Sequence, residues 1–329
     1  MIYLNDRTIK ELNISWNDNI QVISDAVQCL GRHETTQPVK PYLRYGDTQN
    51  RIIAMPAYVG GNINKAGIKW IASFPDNIHK GLPRAHSVTI LNEAVTGVPV
   101  GVVNSGSLSA IRTASVSGFI IQQYMQQRNL SGIRLGMTGF GPIGQHHLAM
   151  CAAVLGNSLE EVFIYDLLPV REEMIPAGLG KKVTIAENWQ QAYTHADIFI
   201  TCTVSKERYI NEAPKPGSLH LNVSLRDYQD GVFPWFAKGI IVDNWEEICR
   251  ENTDIELFHK TKGLQKTDVI EIQDVLTDDF SALFSNDQPV MFNPMGMAVF
   301  DIAMADRFIK LARENNAGVL LDELDFANN

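Results

Sequence analysis

From Ile133 to about Val290 the chain alternates short apolar runs with stretches of helical periodicity. IRLGMTG is followed by IGQHHLAMCAAVL, then EVFIYD, a helix near Val170, KVTIAE, the helical NWQQAYTHA, and the strand-like DIFITCT, SLHLNVS and GIIVDN. Apolar strands this short, separated by helices, predict a parallel sheet covered on both faces. The preceding region, residues 1–115, reads differently. A helix, DNIQVISDAVQCL, is followed by PVKPYLRY, RIIAMPAYV, GIKWIASF, HSVTILNE and VPVGVV with no helix between them, and Thr96-Gly97 marks a turn between the last two. That order predicts an antiparallel α+β unit. The long helix LSAIRTASVSGFIIQQYMQQ leads out of it. The amphipathic GMAVFDIAMADRFIKLAREN near the C-terminus is expected to return and pack on it.

The run LGMTGFGPIGQ closes a predicted strand and opens a predicted helix around Gly139-x-Gly141-x-x-Gly144. Gly139 permits a tight turn, Gly141 lets backbone approach a pyrophosphate, and Gly144 lets helix and strand pack closely. The next strand ends on Asp166, placed to accept hydrogen bonds from a ribose 2′-hydroxyl. This combination reads as an NAD site. The expected fold class is therefore α/β, a Rossmann-type NAD-binding domain at 116–298 inserted into a discontinuous α+β substrate domain formed by 1–115 and 299–329.

Composition narrows the function classes. The 329 residues are 45% hydrophobic, enough for buried cores in two domains. A net charge of −9 and a pI near 5.4 give no electrostatic case for nucleic acid or an anionic membrane. No apolar run reaches bilayer length, and MIYLNDRTIK does not read as a signal peptide. The four cysteines, Cys29, Cys151, Cys202 and Cys249, lack a CxxC pattern and suit reduced thiols of a cytoplasmic protein. The eight histidines show no zinc-ligand spacing, so no metal is expected.

A nicotinamide enzyme must hold its substrate carbon against the ring and manage a proton. Lys69 lies on the predicted strand GIKWIAS, where a solvated lysine is the plain alternative to a ligand contact. Lys40, Tyr42 and Arg44 alternate at period two and share one face, either as carboxylate ligands or as an ordinary polar surface. Arg112 stands on an otherwise small and apolar helix beside Thr113 and Ser115, and needs an anionic partner or an exit to water. Asp227 follows the strand SLHLNVS at the sheet's ligand edge, in a sequence that also suits a turn aspartate. NPMGMA is either a helix start or a wall of the nicotinamide pocket.

QPVK, the lysine of GIKW, GLP, TGVP, IRTASVS, GFGPIG, the aspartate after NVSLR and the GMA of the last helix occur in one order over nearly the whole chain. In this the sequence resembles the ornithine cyclodeaminase/μ-crystallin family. The resemblance implies a dimerising N-terminal substrate domain, hence a homodimer, joined to an NAD(P)-binding Rossmann domain. It implies that Lys69 contacts a substrate carboxylate, that Arg112 lies near the cofactor phosphates, and that Asp227 is the acid–base residue. Gly139, Gly141, Ile143, Gly144, Asp166, Cys202, Thr203, Val204, Asn222, Val223, Ser224 and Pro294 match cofactor contacts, and Met295 a position lining the substrate pocket. Lys40 stands where many members carry arginine, and Arg84 where the cyclodeaminase has threonine. These differences look closer to a branch that oxidises an N-substituted glutamate. Lys40, Arg44, Lys69 and Arg84 together suit a substrate with three carboxylates. That branch carries an acid where this chain has Phe300, whereas Asp301 is retained. The alternatives within the family are ornithine cyclodeamination, amino-acid dehydrogenation or ketimine reduction, and non-catalytic binding of ligand with NAD(P).

Overall fold

The computed structural model describes residues 1–12, 14–47, 49–128, 131–277 and 280–321. Residues 322–329, the end of the expected C-terminal segment, lie outside the described residues. The chain forms two compact units, Met1–Arg112 with Met297–Asn329, and Thr113–Gly296.

The first unit opens with β1 (Ile2–Asn5), α1 (Asp6–Glu11), α2 (Trp16–Gly31), β2 (Thr35–Thr36) and β3 (Tyr42–Leu43). It continues with β4 (Arg51–Val59), β5 (Lys65–Ser73), β6 (Ala85–Glu93) and β7 (Pro99–Asn104), from which α3 (Gly106–Arg128) runs on into the second unit. The second unit holds β8 (Ile133–Thr138), α4 (Pro142–Leu155), β9 (Leu159–Tyr165), β10 (Val183–Ile185), α5 (Trp189–Tyr193), β11 (Ile198–Thr201) and β12 (Leu219–Asn222). Then come α6 (Phe233–Phe236), β13 (Ile240–Val242), α7 (Trp245–Ile248), α8 (Asp254–Lys262), β14 (Ile270–Glu271), α9 (Asp274–Thr277), α10 (Phe280–Leu283) and β15 (Val290–Asn293). Finally α11 (Ala298–Glu314) and β16 (Val319–Leu320) complete the first unit.

The first sheet runs β16-β1-β7-β6-β5-β4-β2, with β3 paired to β4. The predicted strands pair antiparallel, but β1 pairs parallel with β7, a strand and a pairing that the sequence pattern did not indicate. PVKPYLRY forms only the two-residue β3, because Pro38 and Pro41 each lack the N–H that a ladder requires. Register places Met55, Lys69 and Thr89 in one row. Side chains of this parity face α11, and Gly67 brings that helix close. A Cβ on Gly67 would stand 2.8 Å from Ile302 Cδ1. The opposite parity puts Ile52, Ala54, Pro56, Ile68, Trp70, Val88, Ile90 and Val102 on the outer face. There Trp70 keeps 43% and Ile90 38% of its surface exposed.

The second sheet is wholly parallel, in the order β10-β9-β8-β11-β12-β15-β13-β14. β11, β12 and β15 are buried at every position, as expected of strands covered on both faces. The chain steps outward from β8 to β9 and β10, then returns to lay β11 on the other side of β8. The crevice of such a sheet lies beyond the carboxyl ends of these two central strands. The helix expected near Val170 is absent. Residues 166–182 instead form two short 3₁₀ turns, Glu172–Met174 and Gly180–Lys182. Pro169, Pro176, Gly178 and Gly180 interrupt the span too often for an α-helix to propagate.

Candidate active site

Residues that the sequence associates with cofactor and chemistry gather, within the second unit, at the carboxyl ends of its parallel strands. Gly139 follows β8 with φ +83°, and a Cβ there would lie 2.5 Å from the Cys202 carbonyl that follows β11. Only glycine satisfies both demands. Gly144 lies equally close to the turn, since its Cβ would stand 2.3 Å from Gly139 O, whereas at Gly141 the same construction meets nothing within 4 Å. Gly141 is the N-cap of α4 and offers no side-chain cap, with Pro142 at the first helical position. The turn thus has the open backbone and the uncapped helix start that a pyrophosphate needs, so these residues fit a dinucleotide. Ile143 lies half-buried in the first turn of α4.

Asp166, immediately after β9, accepts hydrogen bonds from Phe140 N at 2.5 Å and Leu168 N at 2.7 Å. These fix the carboxylate beside the glycine turn. Arg171 reaches Glu173 at 3.2 Å on the surface.

Beyond β11 and β12 a polar ladder holds the catalytic candidate. Thr201 Oγ1 donates to Asn222 Oδ1 at 3.1 Å, and Asn222 Nδ2 donates to Asn293 Oδ1 at 2.9 Å. Asp227 is fully buried. Thr203 Oγ1 donates to its Oδ1 at 2.6 Å and Ser224 Oγ to its Oδ2 at 2.5 Å. Burial pushes the Asp227 carboxyl above its ordinary value, and the Ser224 and Thr203 hydroxyls only partly offset this. A carboxylate so raised, yet held by two donors, suits reversible proton transfer. Cys202 and Val223 are half-buried, Val204 is 67% exposed, and Pro294 is buried directly after β15. Met295 packs at the edge of the apolar core under the sheet.

The first unit holds a second constellation. Lys69 on β5 is 2% exposed. Its Nζ donates to Asp301 Oδ1 at 2.9 Å, and Arg112 Nε donates to the same oxygen at 2.8 Å. Burial lowers Lys69 to about 8 despite support from Asp301, and Arg112 and Lys40 push it the same way. Asp301 is held below its ordinary value because Arg112 and Lys69 outweigh its burial. Its Oδ2 is buried with no hydrogen-bond partner among the described residues. Lys40 is 4% exposed, so three cations stand in this buried cluster against the carboxylate of Asp301. Arg44 and Arg51 stack on Tyr42 at 5.4 and 5.6 Å from its ring centre. Arg84 is lowered by burial and by the nearby charge of Arg51. Thr113 starts the second unit's part of α3 and is half-buried.

The sequence reading assigned no role to Asp301, Arg51 or Asp254. Period two along RIIAMPAYV places Arg51 on the face of Met55 and Ala57, and a lone acid on the apolar stripe of α11 was a signal for Asp301. Nothing local marks Asp254, whose partners come from distant loops.

An end-of-strand site on a doubly wound sheet, with a separate α+β unit rich in buried cations, defines a two-unit protein of Rossmann type. The chain belongs to the ornithine cyclodeaminase/mu-crystallin family, whose model matches residues 2–316. It is 30% identical over 335 residues to the N-((2S)-2-amino-2-carboxyethyl)-L-glutamate dehydrogenase of Staphylococcus aureus, covering 98% of each chain. The structure of Thermococcus litoralis Δ1-pyrroline-2-carboxylate reductase in complex with NADH and L-proline is similar, with a TM-score of 0.85 at 20% identity over 98% of this chain and 100% of that one. An archaeal alanine dehydrogenase dimer with bound NAD is similar too, with a TM-score of 0.80 at 22% identity over 98% and 99% of the two chains.

Proposed function

We propose that the protein is an NAD-dependent oxidoreductase acting on the CH–NH bond of an amino acid, with N-(2-amino-2-carboxyethyl)-L-glutamate as substrate. The products are 2,3-diaminopropionate, 2-oxoglutarate and NADH, with one water consumed. The diaminopropionate would supply a siderophore or peptide natural-product pathway. The observation that carries the choice of substrate is a pair of cation groups in the first unit: Lys40, Lys69 and Arg112 at Asp301, and Arg44 and Arg51 on Tyr42 with Arg84 near Arg51. Lys69 and Arg51 share a sheet face four residues apart in register, about 13 Å along the strands at the usual rise. A mono-carboxylate amino acid can engage one of these groups, whereas a tricarboxylate can engage both.

NAD, when bound, supplies the hydride acceptor. Lys40, Lys69, Arg44 and Arg84 fix the carboxylates so that the glutamyl Cα–H is presented for transfer. Asp227 removes the ammonium proton that otherwise ties up the nitrogen lone pair and passes it to solvent. It then takes a proton from the water adding to the iminium carbon and returns it to the departing nitrogen; the C–N bond breaks as the new hydroxyl gives its own proton to Asp227 and on to solvent, leaving the keto group of 2-oxoglutarate. Asp166 disfavours a 2′-phosphate and therefore NADP, and Arg171 is engaged by Glu173.

The apolar outer face of the first sheet supports a homodimer, and the four free cysteines accord with a reducing cytoplasm. Among the described residues no helix is long and apolar enough to cross a membrane.

The test is incubation with NAD and ornithine, alanine or the glutamate–diaminopropionate adduct, reading NADH at 340 nm together with product mass. Only the adduct should give stoichiometric NADH and 2-oxoglutarate. Proline from ornithine without net NADH would replace this reading by cyclodeamination. Asp227→Asn should lose turnover by on the order of 100-fold or more while NAD still binds.

A further inference from the structure

The loop from Asn222 to Tyr228, which presents Asp227, is tied down from behind by one buried carboxylate. Asp254, the first residue of α8, is fully buried. Its Oδ2 accepts from Asn222 Nδ2 at 3.0 Å, from Asp227 N at 3.1 Å and from Tyr228 N at 3.2 Å. Its Oδ1 accepts from Arg208 Nε at 2.7 Å, and Arg208 Nη2 also donates to Asn252 O at 2.7 Å. Asp254 N in turn donates to Leu225 O at 2.8 Å. Within this loop Leu225 has φ +67°, a conformation that a leucine holds only where its surroundings impose it.

We infer that Asp254 is a positioning residue: paired with Arg208, it fixes the loop so that the Asp227 carboxylate meets its two hydroxyl donors and the substrate nitrogen. The inference rests on the acid–base role proposed for Asp227. The chemistry requires a carboxylate. Asparagine of the same shape offers one acceptor and one amide donor. Whichever way it turns, its NH₂ confronts either Arg208 Nε or the three donors at Oδ2, and one side of the loop loses its anchor. Burial also raises Asp254 to about 6, with Arg208 and Asn222 opposing the rise, so loss of Arg208 favours the protonated form that cannot accept from both sides.

The experiment compares Asp254→Asn, Arg208→Gln and Asp227→Asn with the wild-type full-length protein in NAD-binding titrations, thermal melts and kcat/KM pH profiles on the adduct. Asp254→Asn should lower kcat on the order of 100-fold, as expected for a reacting group misplaced by about 1 Å, while KM and the NAD dissociation constant stay within about threefold. Its acid limb should move up by about half a pH unit or more, because Ser224 and Thr203 no longer meet the Asp227 carboxylate squarely. Arg208→Gln, at a partly exposed position, should show the same shift with a smaller fall in kcat, and it serves as the test if Asp254→Asn does not fold. A wild-type acid limb and kcat in a folded Asp254→Asn or in Arg208→Gln overturns the positioning role. Full turnover in Asp227→Asn overturns the acid–base reading instead, so the two failures are told apart.

Discussion

Replacing Asp301 by asparagine isolates the ionic cluster of the first unit. Asp301 Oδ1 takes Lys69 Nζ at 2.9 Å and Arg112 Nε at 2.8 Å, all three side chains being at most 9% exposed. At an effective dielectric constant of about 20 each attraction is worth about 6 kcal/mol, and the mutual repulsion of Lys69 and Arg112 opposes part of it. Much of that attraction offsets the cost of removing the charges from water. The net expectation is a loss of about 3–5 kcal/mol, the range for orphaning a buried charge. Lys69 limits the damage. Its value of about 8 already includes support from Asp301, so without that support it falls further and the side chain sheds its proton near neutral pH.

The sign follows from proton uptake. The folded wild type binds fewer protons than the unfolded chain between about 8 and the ordinary lysine value, so stability rises with pH through that window. In Asp301→Asn the window should open at lower pH. Urea unfolding from pH 6 to 9 measures the stability, and steady-state kinetics over the same range measures the ligand. KM for the carboxylate substrate should rise several-fold at neutral pH and recover as acid restores the ammonium. A variant within about 0.5 kcal/mol of wild type, with unchanged KM at all pH values, would refute the electrostatic account.

Two further outcomes test other parts of the structure. His147 donates through Nδ1 to Ile143 O at 2.8 Å and meets Ser117 Oγ through Nε2 at 2.9 Å, and burial lowers it to about 4. Its contribution is complete above 6.5 and is lost as pH falls toward 4, about 3 kcal/mol in all, so His147→Gln should show a correspondingly shallower acid dependence in urea unfolding. An unchanged slope would mean that His147 is charged in the folded protein. Trp70→Glu puts a charge on the outer face of the first sheet, where Trp70 is 43% exposed. Sedimentation should show a dimer for the wild type and a monomer for this variant, and a dimer in both would move the interface elsewhere.

The apolar runs RIIAMPAYV and GIKWIASF announced β4 and β5, because turn residues bound them and no helical stretch intervenes. The glycine turn and the strand ends beyond it were legible for the same reason: each residue's task is local. β1 was not legible, since four residues carry too little pattern to announce a strand. Residues 166–182 misled through helix-forming composition that their prolines and glycines override. The sequence could place Lys69 on a face of its strand but could not say that α11 covers that face, which is why a solvated lysine stood as the alternative. Asp254 was beyond reach for a deeper reason: three of its four donors come from residues 222–228, some 26 to 32 positions away, and no spacing rule links them.

The cover of the first sheet is synthesised last. β4 to β6 are complete before the ribosome begins Thr113–Gly296, and α11, which brings Ile302 and Asp301 onto their inner face, follows only after that whole segment. At about 5–20 residues per second, Met55, Lys69 and Leu91 wait roughly 10 to 40 seconds for their lid. During biosynthesis the nascent chain therefore displays an uncovered β-surface on both sides at once, a state in which holdase chaperones have their binding site and expression at high temperature has its hazard.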